Sequence, residues 1–100
     1  MVLIIDDDIA VCTSLTFLFH KEGLEAQAVQ TPGDALDVLR EKKPDLVVLD
    51  MNFSNDTTGE DGLRLLATIK KKYPDQPVIL ITGWATVGLA VQGMKMGASD

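Results

Sequence analysis

Two runs of consecutive apolar residues, each followed at once by aspartate, constrain this chain more than any other feature. Val2–Ile5 precedes Asp6, and residues 46–49 precede Asp50. Strands without polar alternation are buried on both faces, as in parallel sheets whose crossover helices cover both sides. Ligands bind in the crevice outside the carboxyl ends of such strands. If the two strands are neighbours, their terminal aspartates meet in that crevice.

The first strand is followed by three acids in a row, Asp6, Asp7 and Asp8. Carboxylates brought within a few ångströms raise each other's pKa unless a cation neutralises them. Carboxylate oxygens with no His or Cys nearby suit Mg²⁺, which usually keeps several waters and binds substrate phosphates. A single aspartate at a strand end is more often a helix cap, and Asp8 is interpreted in that way. Asp6, Asp7 and Asp50 together predict a magnesium site.

Composition places the chain in an ordinary class. One hundred residues, 46% hydrophobic and 24% charged, predict a single globular domain. No apolar run approaches bilayer length, and no basic segment precedes the first one, so neither a membrane span nor a signal peptide is predicted. The lone Cys12 predicts a buried thiol in a reducing cytoplasm. A net charge of −6 argues against direct nucleic acid contact.

The segment between the two apolar runs predicts two helices and an edge strand. A first helix ends at Gly23, which supplies the left-handed residue after the helix. Residues 24–29 alternate polar and apolar, which is typical of a half-exposed edge strand. A second helix begins with Thr31 as N-cap and Pro32 as its first residue, and ends before Pro44. The apolar stripes of these helices are predicted to be Ile9, Cys12, Leu15, Leu18 and Phe19, and then Ala35, Leu36 and Leu39.

The second half of the chain predicts a third helix, a fourth buried strand and a last helix. The third helix begins near Glu60 and ends in the lysines 70–72, with acids first and bases last as the helix dipole favours. Residues 78–81 form the fourth strand, and Thr82 leaves its carboxyl end in the same crevice as Asp50. The buried stripe of the third helix is Leu63, Leu66, Ile69 and Tyr73, and the last helix spans residues 87–96 with glycines at 88 and 93.

Alternating strands and helices with short connections predict a flavodoxin-like open parallel sheet of order 2-1-3-4. The fourth strand would then lie at an edge, yet it lacks the charges and proline that usually protect one. A fifth strand would be expected to start near Asp100. The sequence therefore predicts a single domain over residues 1–100 that lacks its fifth strand and fifth helix.

The ordered motifs resemble the receiver domain of two-component response regulators, and the resemblance covers the whole chain. The segments around Thr82 and Gly97 are similar to regulators whose output is an ATPase that activates transcription with the alternative sigma factor. The segments that carry the family resemblance are residues 3–8, 44–50, 61–62, 77–83 and 95–100.

This resemblance implies a phosphoacceptor and a metal site. Asp50 is implied to take a phosphoryl group from the phosphohistidine of a sensor histidine kinase. Asp7 and Asp50 are implied to bind Mg²⁺ with the backbone carbonyl of Asn52, while Asp6 completes the acid pocket through water. A carboxylate nucleophile with a metal also agrees with the general chemistry of phosphoryl transfer.

The resemblance also implies a switch and two partners. Thr82 would provide the switch hydroxyl, and the backbone N–H groups of Met51 and Gly83 would hold the phosphoryl oxygens. The partners implied are the sensor kinase and the output domain of the parent protein.

Two departures from the family pattern modify these expectations. The loop from Asp50 to Asp61 is longer than usual and lacks the customary proline. The family's phosphate-pairing lysine and switch aromatic belong to a fifth strand, which these 100 residues do not include. We therefore expect the segment to accept phosphate poorly, and to associate with itself through the exposed edge of the fourth strand or by exchange of elements.

Three other functions stay open on the sequence. A Mg²⁺-dependent aspartate-nucleophile phosphatase also has a first strand ending in Asp-x-Asp, although Ala10 stands where that class has Thr or Val. A nucleotide-binding module is less favoured, because acids occupy the place of a glycine-rich phosphate cradle. A structural interaction module would retain the acids without using them.

Overall fold

A four-stranded parallel sheet forms the centre of the computed structural model, which describes residues 1–50, 60–81 and 96–97, with the side chains at 60 and 61 excepted. The strand order is β2-β1-β3-β4, as predicted. Along the chain the elements are β1 (Val2–Ile5), α1 (Ile9–Lys21), β2 (Ala26–Val29), α2 (Pro32–Lys42), β3 (Leu46–Asp50), α3 (Glu60–Lys72) and β4 (Val78–Ile81).

The register of the strands aligns their carboxyl ends. Ile5 lies opposite Val29 on one side and opposite Leu49 on the other. One residue further along, Asp6 is therefore level with Asp50, which itself lies opposite Ile81 of β4. Because all pairs are parallel, these ends share one edge of the sheet.

Both faces of the sheet are covered, which explains the unbroken apolar runs. Side chains alternate between faces along a strand, so a strand with helices on both sides has no solvent-facing position. On one face, Leu3 and Ile5 pack into a cluster with buried residues of α2 and α3. On the other face, Ile4 packs with Leu15 and Phe19 of α1. All four residues of β1 are buried.

Helix α1 begins and ends with the predicted caps. The Asp8 carboxylate accepts hydrogen bonds from the N–H groups of Ala10 at 2.9 Å and Val11 at 3.4 Å. At the other end, Gly23 has a φ of +81° and donates to the His20 carbonyl at 3.0 Å. This arrangement is a Schellman motif, which occupies carbonyls that the helix itself leaves unpaired.

The predicted apolar stripe of α1 is wider than the stripe that the structure buries. Cys12 is buried, and Leu15 and Phe19 pack on the sheet, but Ile9 is 68% exposed and Leu18 is 54% exposed. Within the described residues, this helix contacts the sheet along a single narrow line, so apolar residues beside that line face outward.

The edge strand is shorter than predicted, because β2 starts at Ala26 and not at residue 24. The Leu24 N–H donates to the Phe19 carbonyl at 2.9 Å and so belongs to the end of α1. Leu24 is 50% exposed, which corrects its predicted place on the inward face of the strand. The edge position of β2 is confirmed.

Helices α2 and α3 confirm their predicted starts and inner faces. Thr31 caps α2 by accepting from the Asp34 N–H at 3.2 Å, and the helix ends at a left-handed Lys43 with a φ of 47°. Val38 and Leu65 are buried in addition to the predicted positions. The predicted residues Ala35, Leu39, Leu63, Leu66 and Ile69 are buried, and Leu36 and Tyr73 pack against the core from its margin.

Among the helices that the structure describes, none is long and apolar enough to cross a bilayer. The predicted last helix and the loop at residues 51–59 lie outside the described residues.

Candidate metal centre

Three carboxyl groups meet at the carboxyl edge of the sheet. Asp6 and Asp7 follow β1 directly, and Asp50 is the last residue of the neighbouring strand β3. One oxygen from each side chain lies within 4.8 Å of the others. Asp6 is buried, with 3% of its surface exposed, and the other two are partly buried. The adjacency of β1 and β3 therefore brings the predicted acids together.

Asp6 is held in place through its backbone as well as through its carboxylate. Its N–H donates to the Val29 carbonyl of β2 at 3.1 Å. Its Oδ1 accepts from the Asp8 N–H at 2.9 Å. Its carbonyl accepts from the Cys12 thiol on α1 at 3.2 Å. These contacts join Asp6 to the neighbouring strand and to the following helix.

The electrostatics of the centre disfavour three ionised carboxylates. Burial raises the pKa of Asp6 to about 6, against the lowering effect of the hydrogen bond from the Asp8 N–H. The charge of Asp50, a hydrogen bond between the two carboxyl groups and the charge of Asp7 raise the pKa further. Without a cation, the site thus holds a proton more tightly than an ordinary aspartate does.

The donor set fits a hard divalent cation. Oxygen atoms are the ligands of Mg²⁺, which needs only one or two protein carboxylates and fills its other positions with water and phosphate. A cation among Asp6, Asp7 and Asp50 would also offset the repulsion that raises the pKa of Asp6. The arrangement can therefore hold Mg²⁺.

The other predicted site residues divide into two groups. Asp8 is the N-cap of α1, as predicted, and does not belong to the three-carboxylate cluster. Met51, Asn52, Thr82 and Gly83 lie outside the described residues.

Sequence reasoning missed the role of Cys12 next to the centre. It predicted a buried thiol, which is confirmed at 4% exposure, but not the hydrogen bond to the Asp6 carbonyl. Burial raises the pKa of the Cys12 thiol, so the sulfur keeps the proton that it donates. The only signal in the sequence was position, since a residue one helical turn beyond an N-cap faces back toward the preceding strand.

The parallel sheet and the acid cluster at its carboxyl edge are typical of a signalling module, and the family comparison agrees. Residues 2–100 match the response regulator receiver domain family. The chain therefore belongs to the receiver domain family of two-component response regulators, as its motifs predicted. The matched family is not a phosphatase family.

Two of the similar proteins are named as regulators. The chain is 37% identical over 99 residues to an NtrX-like response regulator of Rickettsia bellii, and covers 99% of itself and 20% of that protein. It is 35% identical over 99 residues to the transcriptional regulatory protein ZraR of Klebsiella oxytoca, with 99% and 21% covered. The chain thus spans about a fifth of the length of these relatives.

Solved receiver domains have the same architecture. The receiver domain of NtrX from Brucella abortus superposes with a TM-score of 0.84 at 28% identity, with all of this chain and 82% of that one covered. The beryllofluoride-activated NtrC4 receiver domain dimer gives a TM-score of 0.87 at 31% identity, with 99% and 78% covered. The flavodoxin-like fold predicted from the sequence is confirmed.

Proposed function

We propose that this receiver domain accepts a phosphoryl group on Asp50 in a two-component phosphorelay. The observation that supports this most directly is the convergence of Asp6, Asp7 and Asp50 within 4.8 Å at the carboxyl edge of the sheet. In the proposed step an Asp50 carboxylate oxygen attacks the phosphorus of a phosphohistidine. The P–N bond breaks, and the imidazole leaves with the electron pair. The partner is a sensor histidine kinase.

Asp7 and Asp50, with the Asn52 backbone carbonyl, are the proposed Mg²⁺ ligands, and Asp6 joins them through water. When bound, the metal supplies positive charge that offsets the anionic phosphoryl group beside an anionic nucleophile. The raised pKa of Asp6 supports a site that favours a cation. The Thr82 hydroxyl is the proposed switch, and the Met51 and Gly83 N–H groups are the proposed phosphoryl donors.

The parent protein is proposed to regulate transcription in the cytoplasm through a separate output domain. The support is the name of a relative, the transcriptional regulatory protein ZraR, of which this chain matches about a fifth. The acidic charge of −6 is consistent with a domain that leaves nucleic acid contact to another part of the protein.

The phosphoacceptor is tested by treating the 100-residue chain with acetyl phosphate and Mg²⁺ and measuring intact mass. We expect one phosphoryl group at Asp50, and no adduct in Asp50→Asn. In this polypeptide the modification should be less than stoichiometric, because the lysine that the family resemblance assigns to a fifth strand is not in its sequence.

Asp37→Asn is the matched control, because Asp37 is an exposed aspartate of α2 paired with Arg40. It should be modified as wild type is. An adduct that persists in Asp50→Asn, or one that requires Asp37, would contradict the assignment. Chelation of Mg²⁺ should abolish the adduct without unfolding the chain.

We also propose that the 100-residue chain associates with itself through β4 or by exchanging elements. Among the described residues β4 has a strand neighbour on one side only, and three of its four residues are only partly buried. Light scattering over a range of concentrations should show a dimer or larger species. Ile79→Lys, a charge on this strand, should shift the chain to monomer, and a concentration-independent monomer in wild type would refute self-association.

A further inference from the structure

The single cysteine lies at the junction between the first strand and the helix that follows it. Cys12 is in the first turn of α1, with 4% of its surface exposed. Its Sγ donates to the Asp6 carbonyl at 3.2 Å. Asp6 contributes both this carbonyl and one of the three converging carboxylates. The thiol therefore bonds directly to the backbone of a residue of the centre.

Three hydrogen bonds close a ring across this junction. The Cys12 thiol donates to Asp6, the Cys12 N–H donates to the Asp8 carbonyl at 3.0 Å, and the Asp8 N–H donates to Asp6 Oδ1 at 2.9 Å. The first bond fixes the Asp6 peptide and the last fixes its carboxylate. Loss of the thiol hydrogen bond would release the Asp6 carbonyl and so loosen the backbone that carries the Asp6 carboxylate.

A second strand end also lies near this thiol. The side chain of Gln30, which follows β2, is close enough to Cys12 to offset part of the rise in the pKa of the thiol. The backbone N–H of Asp6 donates to the Val29 carbonyl, also at the end of β2. Cys12 thus bonds to the end of β1 and lies near the end of β2.

We propose that Cys12 is a positioning residue of the metal centre, whose thiol holds the Asp6 peptide so that the Asp6 carboxylate faces Asp7 and Asp50. The proposal rests on the proposed function in so far as it takes this cluster to be the Mg²⁺ site. Groups that orient the ligands of a metal typically change its affinity by about 10- to 100-fold when removed. Because Asp6 joins the metal through water and S–H is a weak donor, the low end of that range applies.

The test measures Mg²⁺ affinity by NMR titration of the ¹⁵N-labelled chain with MgCl₂ alone. Cys12→Ala removes the donor and should raise the dissociation constant about 10-fold. Cys12→Ser keeps a donor at the same place and should stay within about 2-fold of wild type. A residue that only fills space predicts the opposite order, because a buried hydroxyl replaces sulfur less well than a methyl group does.

Val38→Ala is the matched control for lost packing. Val38 is 8% exposed on α2 and belongs to the core on the opposite face of the sheet. It should destabilise the fold and leave the Mg²⁺ affinity unchanged. Cys12→Val, which has no donor and no cavity, replaces Cys12→Ala if the latter does not fold, and should weaken binding by a similar factor.

A second measurement does not require the metal. The Asp8 amide proton reports its hydrogen bond to Asp6 Oδ1, so its chemical shift without Mg²⁺ should change in Cys12→Ala and return toward wild type in Cys12→Ser. If wild type shows no Mg²⁺-dependent shifts, the proposed metal site fails, and the Asp8 amide alone decides the role of Cys12.

Three results would overturn the proposal. One is equal Mg²⁺ affinity in wild type and Cys12→Ala. Another is equal weakening by Cys12→Ser and Cys12→Ala, and a third is equal weakening by Val38→Ala. In the absence of Mg²⁺ binding, an Asp8 amide shift that is the same in wild type and Cys12→Ala would have the same effect.

Discussion

Asp6 shows how one buried acid links stability to function. It is almost fully buried beside two other carboxyl groups, and its pKa is raised to about 6 from an ordinary 3.8. An ionised group in such a place destabilises the fold, and the same charge would attract the proposed cation. The centre is therefore expected to favour metal binding at the expense of stability without metal.

This cost predicts a pH dependence. Between about pH 4 and pH 6 the folded chain holds a proton on Asp6 that the unfolded chain has lost, so the free energy of unfolding falls as pH rises. The loss is complete above pH 6 and is on the order of 3 kcal/mol. Asp6→Asn should therefore be more stable than wild type at pH 7, with little difference at pH 4, in urea unfolding without Mg²⁺.

Asp45 provides a control of opposite sign. Its contact with the Met1 amino group at 2.6 Å lowers the pKa of Asp45, so its contribution is present above its usual pKa and disappears in acid. Asp45→Asn should lower stability slightly at pH 7 and not at pH 3. The Asp6 prediction would be contradicted if the difference in the free energy of unfolding between wild type and Asp6→Asn stayed constant from pH 4 to pH 7. The pKa of Asp6 would then be ordinary.

The helices owe their limits to local capping groups that the sequence displays. Asp8 and Thr31 accept hydrogen bonds from the first N–H groups of α1 and α2. Gly23 and Lys43 end these helices in the left-handed conformation. Capping depends on residues within a few positions of each other, which is why helix ends were predictable here even where buried faces were not.

Two glycines provide a matched test of the left-handed cap. A Cβ would meet nothing within 4 Å at either Gly23 or Gly33, but Gly23 has a φ of +81°. Gly23→Ala should therefore cost about 1 kcal/mol from backbone conformation alone. Gly33→Ala, in the first turn of α2, should be neutral or stabilise by up to about 0.5 kcal/mol.

Thermal or urea unfolding of both variants measures the difference. The two substitutions add the same methyl group in open space, so packing cannot account for opposite signs. Equal effects at the two positions would mean that Gly23 does not require a positive φ in solution.

The stability of the whole domain comes from apolar side chains buried between a parallel sheet and the helices on its two faces. The cluster under α2 and α3 contains most of the fully buried side chains, including Leu3, Leu39 and Leu66. The cluster under α1 is smaller among the described residues. The face that carries α2 and α3 should therefore dominate the free energy of folding.

A pair of helical leucines tests this distribution. Leu66 of α3 is 0% exposed and Leu18 of α1 is 54% exposed. Leu66→Ala should cost roughly 2–5 kcal/mol, because it leaves a cavity in the core. Leu18→Ala should change stability by about 0.5 kcal/mol or less.

Urea unfolding with a common m-value compares the two leucine variants. A large loss in Leu18→Ala would show that the outward side of α1 is covered in solution, and self-association would then be the first explanation to examine. A small loss in Leu66→Ala would contradict the buried position of α3.

Much of the fold was predictable, because its signals are local. The bounds of β1 and β4 follow from apolar runs without alternation, and the caps of α1 and α2 follow from short-range hydrogen bonding. Helical spacing identified the apolar side of α1 but not how much of that side is buried. How narrow the contact is depends on the sheet beneath, as Ile9 and Leu18 show.

For the acid centre, the apolar runs in the sequence were enough to place Asp6 and Asp50 at strand ends. Their meeting within 4.8 Å depends on the parallel pairing of β1 with β3, which joins residues 44 positions apart. The raised pKa of Asp6 arises from that packing and from burial. Local sequence can specify a strand, a cap and a carboxylate, but distances and dielectric surroundings exist only once distant segments have come together.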